Sequence, residues 1–331
     1  MSFITKISQI FSKENSSQRL GIAFQQQGVS LCSIPLQKLN SLIDTDEVEQ
    51  VFFTFEKANS SYFSKANSSY FSKAIQALHA NCELKGIATL VLNEAQSEVV
   101  QVDKPNVAEN ELNSALKWQI KDLVTISPAN MVLDYYDAPT LAGGQEKINV
   151  VCTPLDELRK LVTATEQGMV KVSAITTQEF AFANLLPPQN DAHLLVCQQP
   201  NEEIVLIIVK QKQIFFQRRL RGFAQIATKT VEELSSTVID DLSLEIQRST
   251  DYFERQLKQA PIKSIKVLLP IELEHVVVEK LVENSAVPVS MLELPRPYHQ
   301  HREFGVVIGA SLQDVPYSVD AEALTGARYD N

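Results

Sequence analysis

The residues of this sequence that are best suited to chemistry occur singly or in pairs. His299 and His301 alternate along the chain and would place two imidazoles on one side of a strand, which is half of a zinc site. No third ligand lies near them in sequence, so we favour an exposed loop. The acidic pairs at 232–233 and 240–241 fit a solvated helix face better than paired catalytic acids. The G-x-S-x-G pattern of a hydrolase nucleophile is absent.

Signatures of phosphate binding are also missing. Neither G-x-x-x-x-G-K nor G-x-G-x-x-G occurs. The chain has only 10 glycines in 331 residues, whereas about 7% is average. The net charge is −10, and the one basic run, between Lys210 and Arg221, is interpreted as a solvated strand face. The sequence therefore argues against nucleic acid as a partner and against a glycine-rich phosphate loop.

The composition is that of a globular protein, with 44% hydrophobic and 21% charged residues. Its four cysteines are isolated and lie in or beside apolar runs, which predicts small buried side chains in a reducing compartment. These residues are Cys32, Cys82, Cys152 and Cys197. We find neither an apolar run of about 20 residues nor the order of a signal peptide, so we expect a cytoplasmic protein without a membrane span.

Residues 1–17 carry a short amphipathic pattern. Two interpretations stay open, a helix docked on its own domain and a helix lying on a membrane surface. The apolar face would consist of Phe3, Ile4, Ile7, Ile10 and Phe11, with Lys6 and Lys13 beside it.

Strand pairs alternate with crossover helices, which predicts an α/β architecture. Two similar halves each open on a hairpin, and a compact β-α-β-β-α-β block stands between them. The octapeptide Lys-Ala-Asn-Ser-Ser-Tyr-Phe-Ser occurs at 57–64 and again at 65–72, which we interpret as a local duplication. The second copy is predicted to begin a helix whose inner face is Phe71, Ile75, Leu78 and Cys82.

Four segments resemble the PilM family of type IV pilus assembly proteins. Their order and spacing match that family over some 300 residues, and the degenerate sequence is most similar to the MshI branch, which serves the MSHA (mannose-sensitive haemagglutinin) pilus. The most specific segment is 244–253, which is similar to the family helix L-x-x-E-I-x-R-S-x-D-Y-Y/F. The other three segments are 115–134, 217–222 and 304–312.

The resemblance implies an actin-like (ribonuclease H-like) two-domain fold with an inserted small α+β subdomain. The expected units are the amphipathic segment 1–17, a first actin-like subdomain at 18–97 and 177–190 closed by a helix at 305–317, the inserted subdomain 98–176, a second actin-like domain 191–304 and a polar tail 318–331.

Members of the family bind ATP on three loops, of which two carry an Asp and glycines and the third is a T-G-G-G turn. All three are rewritten in this sequence, and proline enters two of them, which removes amide donors. We therefore expect no cofactor and no catalytic residue. The departures from the family pattern are Ala23 and Gln25, Cys197 and Gln198, and Leu269 and Pro270.

The resemblance further implies a non-catalytic scaffold that holds the cytoplasmic N-terminal tail of a bitopic inner-membrane protein, PilN or its counterpart MshJ, beside other pilus assembly proteins. The alternative is an actin-like ATPase that switches the assembly platform. Groove residues are guessed on the inserted subdomain, where core packing is the favoured interpretation of Trp118. They are Leu116, Trp118, Ile120 and Val132.

Overall fold

The computed structural model describes residues 18–25, 28–36, 53–54, 68–139, 144–167 and 169–313. The predictions for residues 1–17, for the first octapeptide copy and for the tail 318–331 lie outside the described residues. Among the described residues, no helix is long and apolar enough to cross a lipid bilayer.

The first sheet has the strand order β3-β2-β1-β4-β8. β1, β2 and β3 form an antiparallel meander, and β4 and β8 continue it in parallel with β1. The strands are β1 (Gln18–Gln25), β2 (Gly28–Pro35), β3 (Phe53–Thr54), β4 (Lys85–Leu92) and β8 (Met169–Thr177). Helix α1 (Ser68–Asn81) begins inside the second octapeptide copy. The helix is confirmed, with Phe71, Ile75 and Leu78 buried on the sheet and Cys82 half-buried beyond its end.

The second sheet repeats this topology with the order β11-β10-β9-β12-β13. Again three strands form an antiparallel meander, and two more continue in parallel with its first strand. The strands are β9 (His193–Cys197), β10 (Val205–Lys210), β11 (Gln213–Arg219), β12 (Ser264–Leu268) and β13 (Val289–Met291). Two five-stranded sheets with one shared order confirm the predicted pair of similar halves, as an actin-like fold requires.

A small sheet with the order β5-β7-β6 stands between β4 and β8 in the chain. Its strands are β5 (Glu98–Asp103), β6 (Met131–Asp137) and β7 (Lys147–Pro154), all antiparallel. Helix α2 (Glu109–Ile120) covers one face of this sheet with Leu112, Leu116 and Ile120. Helix α3 (Leu155–Thr165) follows β7 and packs on the core of the first sheet instead.

Several predicted helices differ in length from those observed. α2 ends at Ile120 rather than Val124. The segment 230–258 is predicted to be helical, and the chain is helical without a break over 231–256, where α5 (Ile239–Asp251) runs between two π-helical turns, Leu234–Val238 and Tyr252–Gln256. The remaining helices are α4 (Gln178–Ala183), α6 (Glu274–Asn284) and α7 (Gly305–Ser311), of which the last is shorter than the predicted 305–317.

Helices α4 and α7 lie at the centre of the molecule and share one core with both large sheets. Two glycines permit the close approach of α7 to α4 and of α7 to β1. A Cβ atom at Gly309 of α7 would lie 1.9 Å from the carbonyl oxygen of Ala181 in α4. A Cβ atom at Gly21 of β1 would lie 2.1 Å from the carbonyl oxygen of Val307 in α7. Backbone therefore touches backbone at both contacts, and no other residue fits there without moving an element.

We expect Gly309→Ala to lower the free energy of unfolding by about 1–3 kcal/mol, because α7 must move away from α4. Urea unfolding followed by circular dichroism measures this loss. Gly305→Ala is the matched control in the same helix, since its Cβ would meet only the flexible Cδ2 end of Leu268 at 2.5 Å. Equal losses in the two variants would contradict the proposed backbone contact.

A buried histidine links the starts of two neighbouring strands of the second sheet. His193 Nδ1 lies 2.8 Å from the Ser264 hydroxyl oxygen, and the two residues are register partners of β9 and β12. Burial lowers the pKa of His193, and the positive charge of Lys266 lowers it further. The imidazole of His193 therefore binds a proton near pH 6.5 in the unfolded chain, and only at a lower pH in the folded protein.

The contribution of neutral His193 to stability is thus complete above about pH 6.5 and is lost as the pH falls below that value. We expect the free energy of unfolding of the wild type to decrease more between pH 7.5 and pH 5.5 than that of His193→Gln. Urea titrations at the two pH values test this. If both proteins show the same decrease, His193 does not carry this pH dependence.

Candidate functional site

A cleft separates the first sheet from the second at the ends of β4, β8, β10 and β11. It contains a cavity of about 220 Å³. Its walls include Asn93 and Gln178 from the first half, Val205 and Gln217 from the second half, and Val99 from the small sheet. All three sheets therefore meet at one cavity, and a ligand or a partner segment placed there would contact each of them.

Arg219 crosses this cleft from the end of β11. Its Nε lies 2.7 Å from Glu94 Oε2, in the turn between β4 and β5, and its Nη2 lies 3.0 Å from Glu179 Oε1 in α4. The Glu179 carboxylate is only 11% exposed, so this side of the bridge is shielded from solvent. The interpretation of the 210–221 run as a solvated face is wrong for Arg219, whose guanidinium holds the two halves together.

The first predicted nucleotide loop leaves β1 with no carboxylate. Ala23 is fully buried and belongs to the central core together with Cys197. Gln25 is buried at the end of β1, paired with Gly28 of β2. The small Ala23 side chain, at the position predicted to correspond to the family's Asp, is part of the packing between the halves.

The second and third predicted loops lie side by side, because Cys197 and Leu268 are register partners at the ends of the parallel strands β9 and β12. The backbone N–H of Gln198 donates to the Leu268 carbonyl at 3.0 Å. The backbone N–H of Leu269 donates to Glu274 Oε1 at 2.8 Å. Pro270 has no N–H to offer. These amides are therefore engaged within the protein rather than directed at a ligand.

Side chains also fill the space beside the second and third predicted loops. The Gln198 amide donates to the carbonyl oxygens of Glu202 and Phe223. Cys197 is completely buried, and burial raises the pKa of its thiol above the ordinary range. At the position predicted to correspond to the family's second Asp there is thus a neutral thiol, which attracts a magnesium ion far less than a carboxylate does.

A buried ion pair closes the end of the second sheet beneath these loops. Arg302 donates from Nε to Glu274 Oε2 at 2.7 Å and from Nη2 to Glu274 Oε1 at 2.5 Å. It also donates to the carbonyls of Leu292 and Val267. The side chains of Arg302 and Glu274 are 14% and 5% exposed. One guanidinium therefore ties the ends of β12 and β13 to α6, beside the predicted third loop.

The guessed partner-binding residues do not share one surface. Leu116 and Ile120 are completely buried in the core of the small sheet, so they offer nothing to a partner. Trp118 is 66% exposed on the outer side of α2, so the core-packing interpretation is wrong. Its ring lies 5.6 Å from Lys121 Nζ. Val132 is half-buried on β6, on the face of the sheet that α2 does not cover.

Among the described residues, no third metal ligand joins the two histidines that the sequence singles out, His299 and His301. His299 is exposed beside a 3-10 turn and contacts the Arg296 carbonyl. Within the described chain, no group of three or more His, Cys, Asp or Glu residues could hold a metal ion. The acidic pairs at 232–233 and 240–241 are exposed, and Glu233 completes a capping box with Thr230.

The repeated sheet order and the shared central helices define an actin-like α/β fold. Among solved structures, a chain of a PilM–PilN type IV pilus biogenesis complex matches with a TM-score of 0.63 and 13% identity over 90% of this chain and 98% of that chain.

Two further structures resemble the chain more loosely. The cytoplasmic domain of EpsL, an inner-membrane component of the Vibrio cholerae type II secretion system, has a TM-score of 0.46 at 11% identity over 82% of this chain and 97% of its own. A Bacteroides thetaiotaomicron protein with an actin-like ATPase fold has a TM-score of 0.47 at 8% identity over 88% and 94%. Neither a protein-family model nor a curated protein matches the sequence.

The buried Arg302–Glu274 pair gives a sharp stability test. Glu274→Gln leaves the Arg302 guanidinium without a counter-charge in a shielded place, so we expect a loss of about 3–5 kcal/mol in the free energy of unfolding. Glu283→Gln, which removes the exposed partner of Lys280, should change it by at most about 1 kcal/mol. Chemical denaturation of both variants measures these changes in the free energy of unfolding. Similarly small losses in the two variants would show that the buried pair is dispensable for stability.

Proposed function

We propose that this protein is a non-catalytic cytoplasmic scaffold of a type IV pilus assembly machine. The observation that carries the proposal is the match, over nearly the full length of both chains, to a chain of the PilM–PilN complex. The helix motif at 244–253 supports it from the sequence side. The degenerate loops favour a member of the MshI type, which serves the MSHA pilus.

The proposed units follow the three sheets. The first actin-like subdomain takes 18–97 and 177–190 with the closing helix near 305–317, the inserted subdomain takes 98–176, and the second actin-like domain takes 191–304. The end segments 1–17 and 318–331 complete the division.

The partner in this proposal is the cytoplasmic tail of a PilN-like or MshJ-like bitopic inner-membrane protein. The scaffold would then lie at the inner membrane through that partner. The proposed groove lies between the first actin-like subdomain and the inserted one. The cleft supports this role, since Val99 of the inserted unit and Gln178 of the first half line one cavity.

The absence of catalysis is part of the proposal. An actin-like nucleotide site needs free amides and a carboxylate near the phosphates and magnesium. At the positions predicted from the family, the amides of Gln198 and Leu269 are already engaged. The acids at the cleft, Glu94 and Glu179, are both paired with Arg219. An ATPase would have to break these contacts before it could bind its substrate.

We expect the thermal midpoint to stay unchanged with millimolar Mg-ATP and to rise with a peptide of the partner's cytoplasmic tail, because only the binding of a ligand to the folded state stabilises it. Differential scanning fluorimetry measures both. Mg-ADP and a scrambled tail peptide are the controls.

The opposite result, a rise with Mg-ATP and none with the tail, would favour the ATPase and remove the scaffold hypothesis. Co-purification with the inner-membrane pilus proteins of the same organism then tests the assembly itself.

A further inference from the structure

β11 forms an edge of the second sheet, because it pairs with β10 on one side and with no other strand that the structure describes. Two other edges of the large sheets are short or protected. β13 has only three residues, and the N–H of Val172 in β8 donates to Glu166 Oε1 at 3.0 Å. β11 has seven residues, and within the described chain its backbone hydrogen-bonds only to β10. An edge of this kind can accept an additional strand.

The ladder between β10 and β11 fixes which backbone groups of this edge point outward. Immediately beyond the end of β11, the Leu220 N–H donates to the Ile204 carbonyl of the neighbouring chain at 2.8 Å, in continuation of the strand register. The residues that bond to the neighbouring strand alternate along an antiparallel pair. The backbone N–H and C=O groups of Arg219 and Gln217 therefore point away from β10 and are open to an added strand.

Side chains beside these groups would meet the added strand. Phe216 and Arg218 lie on the α5 side of the sheet, at positions where the side chains of adjacent antiparallel strands come closest. The Phe216 ring centroid lies 5.6 Å from that of Tyr252, and Tyr252 is 44% exposed. The edge thus presents an aromatic pair and, two residues further along β11, an arginine.

The charge beside the edge is not balanced. Arg218 and Arg248 both pair with Glu245, at 2.9 Å and 2.6 Å, so two guanidinium groups share one carboxylate. The side chains of the two arginines are 44% and 57% exposed. A positive charge therefore faces solvent here, although the whole chain has a net charge of −10. A second carboxylate would complete the pairing of both arginines.

A second copy of β11 is a poor occupant of this edge. The register of β11 on β10 shifts between Ile208 and Val209, and such a bulge interrupts further pairing at an edge. Lys212 precedes β11 and Arg218 lies near its end, so an antiparallel copy would bring like charges together. An acidic partner is attracted by the same basic residues.

We propose that β11 is a docking edge for an extended acidic segment of another protein, which adds antiparallel to β11 as a sixth strand of the second sheet. The segment carries a carboxylate opposite Arg218 and, two residues later, an aromatic or aliphatic side chain opposite Phe216. Backbone hydrogen bonds to Gln217 supply affinity, and the acid-x-apolar spacing supplies specificity. The inference goes beyond the proposed function and does not depend on it, since the edge lies wholly within the second half.

The probe is the fluorescein-labelled peptide Ser-Thr-Glu-Thr-Phe-Thr-Val-Ser, and fluorescence anisotropy measures its binding to the full chain. We expect saturable binding that Arg218→Gln weakens about tenfold, because the glutamate of the peptide loses its cation. Arg255→Gln is the matched control. It removes an exposed arginine of the same helical segment, which pairs with Asp251 instead, and should change binding less than twofold. Thermal melts show whether both variants fold.

N-methylation of the peptide tests strand addition without changing the protein. The amide of the threonine between the glutamate and the phenylalanine should donate to the Gln217 carbonyl, whereas the phenylalanine amide should face away from β11. We expect methylation of that threonine amide to weaken binding about tenfold and methylation of the phenylalanine amide to weaken it less than threefold. Equal effects of the two methyl groups, binding that is unchanged by Arg218→Gln, or no binding to the wild type would overturn the inference.

Sedimentation velocity of the protein alone tests the other occupant. Gln217→Pro removes one outward N–H of β11 and leaves the ladder to β10 intact. Self-association of the wild type that Gln217→Pro abolishes would overturn the acidic segment in favour of a second copy. Every one of these outcomes leaves the proposed function standing, because binding of the inner-membrane partner's tail is measured separately.

Discussion

The close approach of α7 to β1 and α4 is the contact on which the rest of the molecule depends. Gly21 and Gly309 let backbone meet backbone there, so the two halves share one core instead of facing each other across a polar interface. The ends of β1, β9 and β12 are placed relative to one another by this shared core. The shared core also sets the width of the cleft above these strand ends. It sets the position of the small sheet as well, through the packing of Tyr136 on Phe180.

A consequence of that shared core is the way charge is distributed around the cleft. Ionisable groups that would be available to a ligand in an open site are paired across units, as in the bridges from Arg219 to Glu94 and Glu179. Arg302 and Glu274 form a similar ion pair within the second half. Internal pairs thus occupy Arg219 and Arg302, the arginines at the meeting point of the strands.

The architecture could be predicted from sequence because hairpins and amphipathic helices leave local patterns, as Phe71, Ile75 and Leu78 did for α1. Contacts between residues on opposite sides of a cleft leave no periodic pattern in the sequence. Arg219 was therefore assigned to a solvated face, although it is a bridge between halves. Trp118 was assigned to the core because it was placed beside the inner face of the helix, although it follows the inward Leu116 by two residues and thus points outward.

The free cysteines have a practical consequence. Cys32 lies in the first sheet, Cys152 in the small sheet and Cys197 in the second sheet, and all three thiols are buried and unlinked. Each sheet thus contains one thiol that a reagent in solution can reach only when that sheet opens, while the half-buried Cys82 lies outside this set. The rates at which these thiols become labelled would therefore report the local unfolding of each unit separately, without any engineered probe.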